Sequence, residues 1–273
     1  MARLTDIPDR IGLARLLRLA VAGSVPPLWA EIALLHFRGS FQSRFMWIPV
    51  AGLPAVFLGG TASTLMGDER AARALFRPLA WLLVVVGAGG TFFHLRGIGR
   101  QMGGFRNWKY NAVTGPPLPA PPQVALLGLL AVAASAPPTA SERTERDSLV
   151  RWARAINAIS YALLGTEAGY NHWIGGYGNK VMYTPVVLSP MLMLAHLAVL
   201  AGVKGVRKAE LGLSTLAAVG GLVGFAFHLR NISRRSGGFS WQNLFYGPPA
   251  VAPLQLSGQG ILGLLAALYG RAK

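Results

Sequence analysis

The chain contains no cysteine and few charged residues. Without cysteine it cannot form disulfides, thiolate metal sites, iron–sulfur clusters or thioether-attached haem. Only 13% of its 273 residues are charged, about half the share that is usual in soluble domains. By contrast, 52% of the residues are hydrophobic and the mean hydropathy is +0.42. This composition predicts an all-α, polytopic membrane protein.

Sequence signatures of several enzyme classes are also missing. The chain has no Walker loop, no HExxH or GxSxG motif, and no clustered histidines of the membrane desaturase type. Its net charge of +16 does not indicate nucleic-acid binding, because Lys and Arg occupy short segments between apolar runs. Basic segments of this kind more often set membrane topology and contact lipid phosphates.

Eight apolar runs approach the roughly 20 residues that a membrane helix needs. We predict spans at about 13–36, 46–65, 76–95, 122–138, 152–172, 183–203, 212–230 and 253–270. The one strongly polar stretch, at 139–147, is predicted to be a loop. It divides the chain into two four-helix units, residues 12–138 and 148–273.

The second unit repeats the first. Glu31 and His36 recur 136 residues later, the string FHLR recurs after 134, and the string GPP recurs after 132. The matched acids and imidazoles are Glu31 with Glu167, His36 with His172, and His94 with His228. Most apolar positions between these points differ. Polar residues kept at matched positions predict a paired site.

An even number of helices in each repeat gives both repeats the same direction in the membrane. With the amino terminus in the cytoplasm, the inner segments carry 16 of the 26 Lys and Arg residues, which favours that orientation. We therefore expect a multi-pass protein of a bacterial inner membrane. The four matched histidines are then near the outer face.

These matched residues are the candidate metal ligands: His36, His94, His172, His228, Glu31 and Glu167. A carboxylate within a membrane span is usually paired, protonated or bound to a cation. Imidazole and carboxylate together suit iron, manganese, copper or zinc, with iron favoured here. Glu31 and His36 are five residues apart and do not share one face of an ideal helix. The alternatives are that each glutamate is protonated and that each histidine caps a helix end.

Glycines and arginines beside the histidines are candidate ligands of a cofactor such as haem b. Glycines at i, i+3 and a histidine at i+7 share one helix face, which predicts either a cofactor groove or close helix packing. The arginines predict either a clamp for carboxylates or phosphates, or contacts with lipid headgroups. The residues concerned are Gly87, Gly90, Gly221, Gly224, Arg96, Arg100, Arg230 and Arg234.

Three functions remain open. The first is a redox protein with a non-haem metal centre or haem, which exchanges electrons with quinone or a periplasmic partner. The second is a membrane transporter that uses protonatable Glu31 and Glu167. The third is a structural or assembly protein that binds lipid or a soluble partner through its arginines. His196 has no counterpart in the first repeat, and we expect it to be either buried or adjacent to lipid, with a local hydrogen bond.

Overall fold

The structure, a computed structural model, describes residues 12–138 and 141–270. Within these residues all regular secondary structure is helical. The helices are α1 (Leu13–Arg38), α2 (Trp47–Leu65), α3 (Glu69–Gly99), α4 (Trp108–Thr114), α5 (Ala120–Ala134), α6 (Glu142–Ile174), α7 (Tyr183–Leu200), α8 (Val206–Ser233), α9 (Trp241–Tyr246) and α10 (Pro253–Tyr269). Short 3-10 turns at Arg44–Met46 and Lys180–Met182 precede α2 and α7.

The helices fall into two matching sets, α1–α5 and α6–α10. In each set the first helix packs on the second, the second on the third, and the third on the last. Across the sets, α1 packs against α10 and α5 packs against α6. The first and last helices of both repeats therefore form the centre of the bundle, around a pseudo-twofold axis that runs along it.

Five helices are long and apolar enough to cross a membrane: α1, α2 with its preceding turn, α3, α7 with its preceding turn, and α8. At 15 and 17 residues, α5 and α10 fall short of the hydrocarbon thickness of about 30 Å. Helix α6 has 33 residues but does not reach the same apolar content. The fold thus suggests a membrane bundle, while the predicted count of eight spans is not confirmed.

The polar stretch between the repeats is mostly helix. The prediction of a loop at 139–147 is wrong from Glu142 onward, because these residues form the first turns of α6. Residues 139 and 140 lie outside the described part of the chain, as do residues 1–11, which carry part of the predicted topology signal. Helix α6 starts at Glu142 with two glutamates in its first turn, where the helix dipole favours negative charge.

The two ends of the bundle differ in character. Helices α1, α3, α6 and α8 end together at what we call the histidine end, which carries His36, His94, His172 and His228. At the opposite end, the buried Arg18 makes a two-pronged bond with Glu69, at 2.8 Å on each nitrogen. Arg154 bonds Glu210 in the same way, at 2.7 and 2.9 Å.

Candidate functional site between the repeats

Two glutamate–glutamine bonds cross the boundary between the repeats. The Gln255 side chain, on α10, donates to Glu31 on α1 at 2.6 Å. The Gln123 side chain, on α5, donates to Glu167 on α6 at 3.0 Å. Each glutamate therefore has its amide partner in the other repeat, and the two bonds are related by the pseudo-twofold axis.

These carboxyl groups lie inside the bundle without a direct cationic partner. Glu31 is 8% exposed. Among the described residues no ion pair involves Glu31 or Glu167. Arg38 is near enough to act on Glu31 through space, but its guanidinium donates to the carbonyl of Gly247 at 3.1 Å. The two carboxyl groups are also close enough for their charges to interact.

A small cavity of about 40 Å³ adjoins these bonds. Its polar lining consists of Ser24, Gln123, Gln255 and Gln259. Leucines and one glycine close the remainder. Because Gln123 and Gln255 also hold the glutamates, the cavity, which is lined by α1, α5 and α10, lies next to both glutamate–glutamine bonds.

The four matched histidines are held in one common way. Each Nδ1 lies against a backbone carbonyl of the same repeat, at 2.6–2.8 Å. The partners are Met46 for His36, Pro117 for His94, Met182 for His172 and Pro249 for His228. A carbonyl oxygen only accepts, so each Nδ1 carries the proton and each Nε2 keeps its lone pair.

The histidines and glutamates do not form one shared centre. Glu31 faces α10, whereas His36 faces the turn before α2, as expected for residues five apart on a helix. Among the described residues, no group of three or more His, Asp or Glu side chains converges closely enough to hold a metal ion. A merged six-ligand metal centre therefore receives no support. Within each repeat the two imidazoles are near enough to interact electrostatically.

Helix packing occupies the faces of the glycines that were candidate cofactor contacts. A β-carbon on Gly87 would collide with the backbone of Ala125 on α5, and one on Gly221 would collide with Ser257 on α10. At Gly90 and Gly224 the neighbours are Pro121 and Pro253, at 3.0 and 2.9 Å. This arrangement accounts for the glycines as close contacts between helices, the alternative to a cofactor groove.

The candidate arginines Arg96, Arg100, Arg230 and Arg234 are all exposed at the histidine end. The loops that follow them are fixed by two matched asparagines. Asn111 donates to the carbonyls of Met102 and Gly104 at 3.1 and 2.8 Å. Asn243 binds Ser236 and Gly238 in the same way, at 2.8 Å each. The arginines therefore lie exposed at the carboxyl ends of α3 and α8, next to ordered loops.

Sequence reasoning missed Gln123 and Gln255. The signal was available, because the 132-residue offset that matches the GPP strings also matches these two glutamines. It also missed the buried Glu210, which was assigned to a loop but lies within α8 with no exposed surface. The expectation for His196 is confirmed, since its Nδ1 lies 3.0 Å from Glu210 and its side chain is fully buried.

No protein-family model, curated protein or solved structure matches the chain significantly.

Proposed function

We propose that the protein is a membrane transporter that takes up and releases protons at Glu31 and Glu167. The observation that carries this proposal is the pair of partly buried glutamate–glutamine bonds that cross between the repeats. Ionisable groups inside membrane bundles commonly belong to ion or proton pathways. Parallel repeats that meet at a central site are a recurrent design of membrane transporters.

The crossed bonds couple protonation to the relative position of the repeats. An ionised glutamate accepts a bond from the glutamine N–H, whereas a protonated glutamate can also donate to an oxygen. Each change at Glu31 or Glu167 therefore alters a contact between the two repeats. Proton binding would shift the balance between two arrangements of the bundle, because it changes their relative free energies.

Proton flux into proteoliposomes, followed with an internal pH-sensitive dye under an imposed gradient, tests this function. We expect Glu31→Gln and Glu167→Gln each to lower the rate at least about tenfold, an added barrier of roughly 1.4 kcal/mol. Glu142→Gln is the matched control, because Glu142 is exposed at the start of α6. A flux absent from the wild type, or equal in all variants, would contradict the proposal.

A second candidate function is redox chemistry with haem b, or a transition metal, held between the imidazoles of each repeat. One observation favours it: all four Nδ1 atoms donate to carbonyls, which is how metal-bound histidines are usually oriented. The two imidazoles of one repeat would hold the haem, which would supply one-electron redox chemistry. Arg96 and Arg230, two residues after a histidine, would then bind its propionates.

An absorption spectrum and elemental analysis of the purified protein distinguish this candidate. Two equivalent sites predict that His36→Ala halves the bound haem or metal and that His172→Ala removes the other half. His196→Ala should leave the content unchanged, because His196 is bonded to Glu210 inside the second repeat. A protein without a haem band and without stoichiometric metal would exclude it.

A further inference from the structure

One face of α6 carries polar residues along much of its length. Asn157, Ser160 and Glu167 follow at i, i+3 and i+10, a spacing that places them on one side of the helix. They span about 15 Å at the helical rise of 1.5 Å per residue. The matched face of α1 carries Val21, Ser24 and Glu31. The row of polar residues on this face therefore contains one more residue in the second repeat, because Asn157 stands where the first repeat has Val21.

Several oxygens on this line are buried and have no partner. Asn157 and Ser160 are 0% exposed. Within the described part of the chain, the Asn157 Oδ1, the Ser160 Oγ and the Gln259 Oε1 make no hydrogen bond. An unpaired buried polar atom costs about 1–3 kcal/mol. Such atoms commonly mark the position of an ordered water or ion.

Of these three residues, Gln259 lines the cavity between the repeats. Asn157 donates to the backbone carbonyl of Gln259 at 3.3 Å. At the cavity's other side, Gln123 holds Glu167. A volume of about 40 Å³ has room for about three waters at roughly 10–15 Å³ each. Water there would lie between Gln259, which Asn157 contacts, and Gln123, which holds the glutamate.

We propose that ordered water between Asn157 and Glu167 carries protons to and from the site, along a route built mainly by the second repeat. This inference rests on the proposed transport function, and it specifies the proton as the transported ion and ordered water as its path. Each water accepts one proton and passes on another, and the Glu167 carboxylate gains the O–H bond. Asn157 is three residues, about 4.5 Å, from Arg154 at the end opposite the histidines. The route therefore leads from the site toward that end.

The lining favours a proton over a metal cation. The Ser24 hydroxyl donates to the carbonyl of Ala20 at 2.8 Å, and the amide nitrogens of Gln123 and Gln255 are engaged by the glutamates, so the lining offers only neutral oxygens besides the two carboxyl groups. Hard metal cations in proteins take six or more oxygen ligands, usually with direct carboxylates. The described residues offer no third carboxylate at the site.

The first repeat supplies the substitutions for the test. Val21 stands where the second repeat has Asn157, and Leu127 stands where it has Gln259. The double variant Asn157→Val with Gln259→Leu replaces these two polar residues with the apolar residues found at the matched positions of the first repeat. We expect proton flux in proteoliposomes to fall about tenfold. Ser160→Ala, which removes one hydroxyl, should lower it less, and Thr166→Ala on the exposed side of α6 should not change it.

The outcomes separate the two proposals. If Glu167→Gln abolishes flux and the Asn157/Gln259 double variant conducts like the wild type, the route is wrong and the function stands. If the wild type shows no flux that depends on the glutamates, the function itself fails. Flux that requires Na⁺ in place of a pH gradient would overturn the proton assignment. Size-exclusion profiles and thermal unfolding confirm that each variant is folded.

Discussion

Two matched interior positions are filled by different side chains in the two repeats: by a phenylalanine and a glycine in the first, and by a glutamate and a histidine in the second. In the first, Phe76 fills the space left by Gly60, where a β-carbon would lie 2.8 Å from the ring. In the second, the matched positions hold Glu210 and His196, which bond each other at 3.0 Å. The two positions differ together. A large residue on the third helix of a repeat is paired with a glycine on the second helix, whereas a carboxylate on the third helix is paired with an imidazole on the second.

The buried arginine is the constant part of this comparison. Arg18 and Arg154 are matched, and each bonds a glutamate through two nitrogens. The glutamates themselves are not matched, since Glu69 begins α3 whereas Glu210 lies inside α8. A buried guanidinium must be paired, but the carboxylate can come from any position within reach. Both repeats therefore have a buried arginine at the matched position, but its carboxylate partner comes from a different position in each repeat.

The largest effect should come from Glu210→Ala. It leaves Arg154, which is 7% exposed, without its carboxylate. Loss of one member of a buried ion pair typically lowers the free energy of unfolding by about 3–5 kcal/mol. Unfolding in detergent, by heat or denaturant, measures the loss. A variant as stable as the wild type would show that the pair does not hold the second repeat together.

Glu69→Ala makes the matching change in the first repeat and sharpens the comparison. The Glu69 side chain is 43% exposed, so water reaches the space that it vacates. Both arginines would keep one bond to a backbone carbonyl, Arg18 to Ala134 at 3.2 Å and Arg154 to Ala266 at 3.1 Å, so exposure is the difference that remains. We expect a smaller loss than for Glu210→Ala. Equal losses would mean that exposure of the carboxylate does not matter.

Next in size are Gln123→Leu and Gln255→Leu, which remove the crossed bonds. A hydrogen bond to a charged group contributes about 1.5–3 kcal/mol, and we expect the two variants to lose similar amounts. The pseudo-twofold relation of the two bonds is the reason. Unfolding in the same detergent provides the measurement. Clearly unequal losses of unfolding free energy would show that the two crossed bonds differ between the repeats, as the matched interior positions do.

Gly87→Ala and Gly221→Ala should each destabilise by about 1–3 kcal/mol, the usual effect of overpacking. In both repeats a β-carbon would collide with the last helix of the same repeat. The two losses should agree, since this packing is matched. A neutral effect at either glycine would indicate that the helices separate easily, and would reopen the alternative of a groove at that position.

The smallest effect should come from Tyr161→Phe. The Tyr161 hydroxyl is buried and, within the described residues, has no hydrogen-bond partner. Its removal should leave stability unchanged or raise it by up to about 1 kcal/mol. The matched residue in the first repeat is the apolar Val25. A clear loss of stability would reveal a bound water at this hydroxyl.

Much of the arrangement could be predicted from spacing alone. The offsets between matched residues identified the duplication, and the position of each histidine near a helix end placed all four at one end of the bundle. The five-residue spacing of Glu31 and His36 also indicated correctly that they face different neighbours. These features depend on helical geometry within one segment, which a sequence determines directly.

The partners could not be predicted in the same way. Offsets show which residues are equivalent, but not whether Gln255 bonds Glu167 in its own repeat or Glu31 in the other. That choice depends on which helices pack together across the chain. Glu210 was misplaced for a related reason, since hydropathy cannot show that a carboxylate at a helix start is turned inward toward Arg154.

The two crossed glutamate–glutamine bonds relate the chain to a symmetric dimer of a single repeat. One repeat alone holds a glutamate and a glutamine that do not meet each other, so it contains half of each pair. Two identical copies arranged about a true twofold axis would complete both pairs with the same surface on each copy. The joined chain thus has the symmetry that a homodimer of one repeat would have, although its matched interior positions hold Gly60 and Phe76 in one half and His196 and Glu210 in the other.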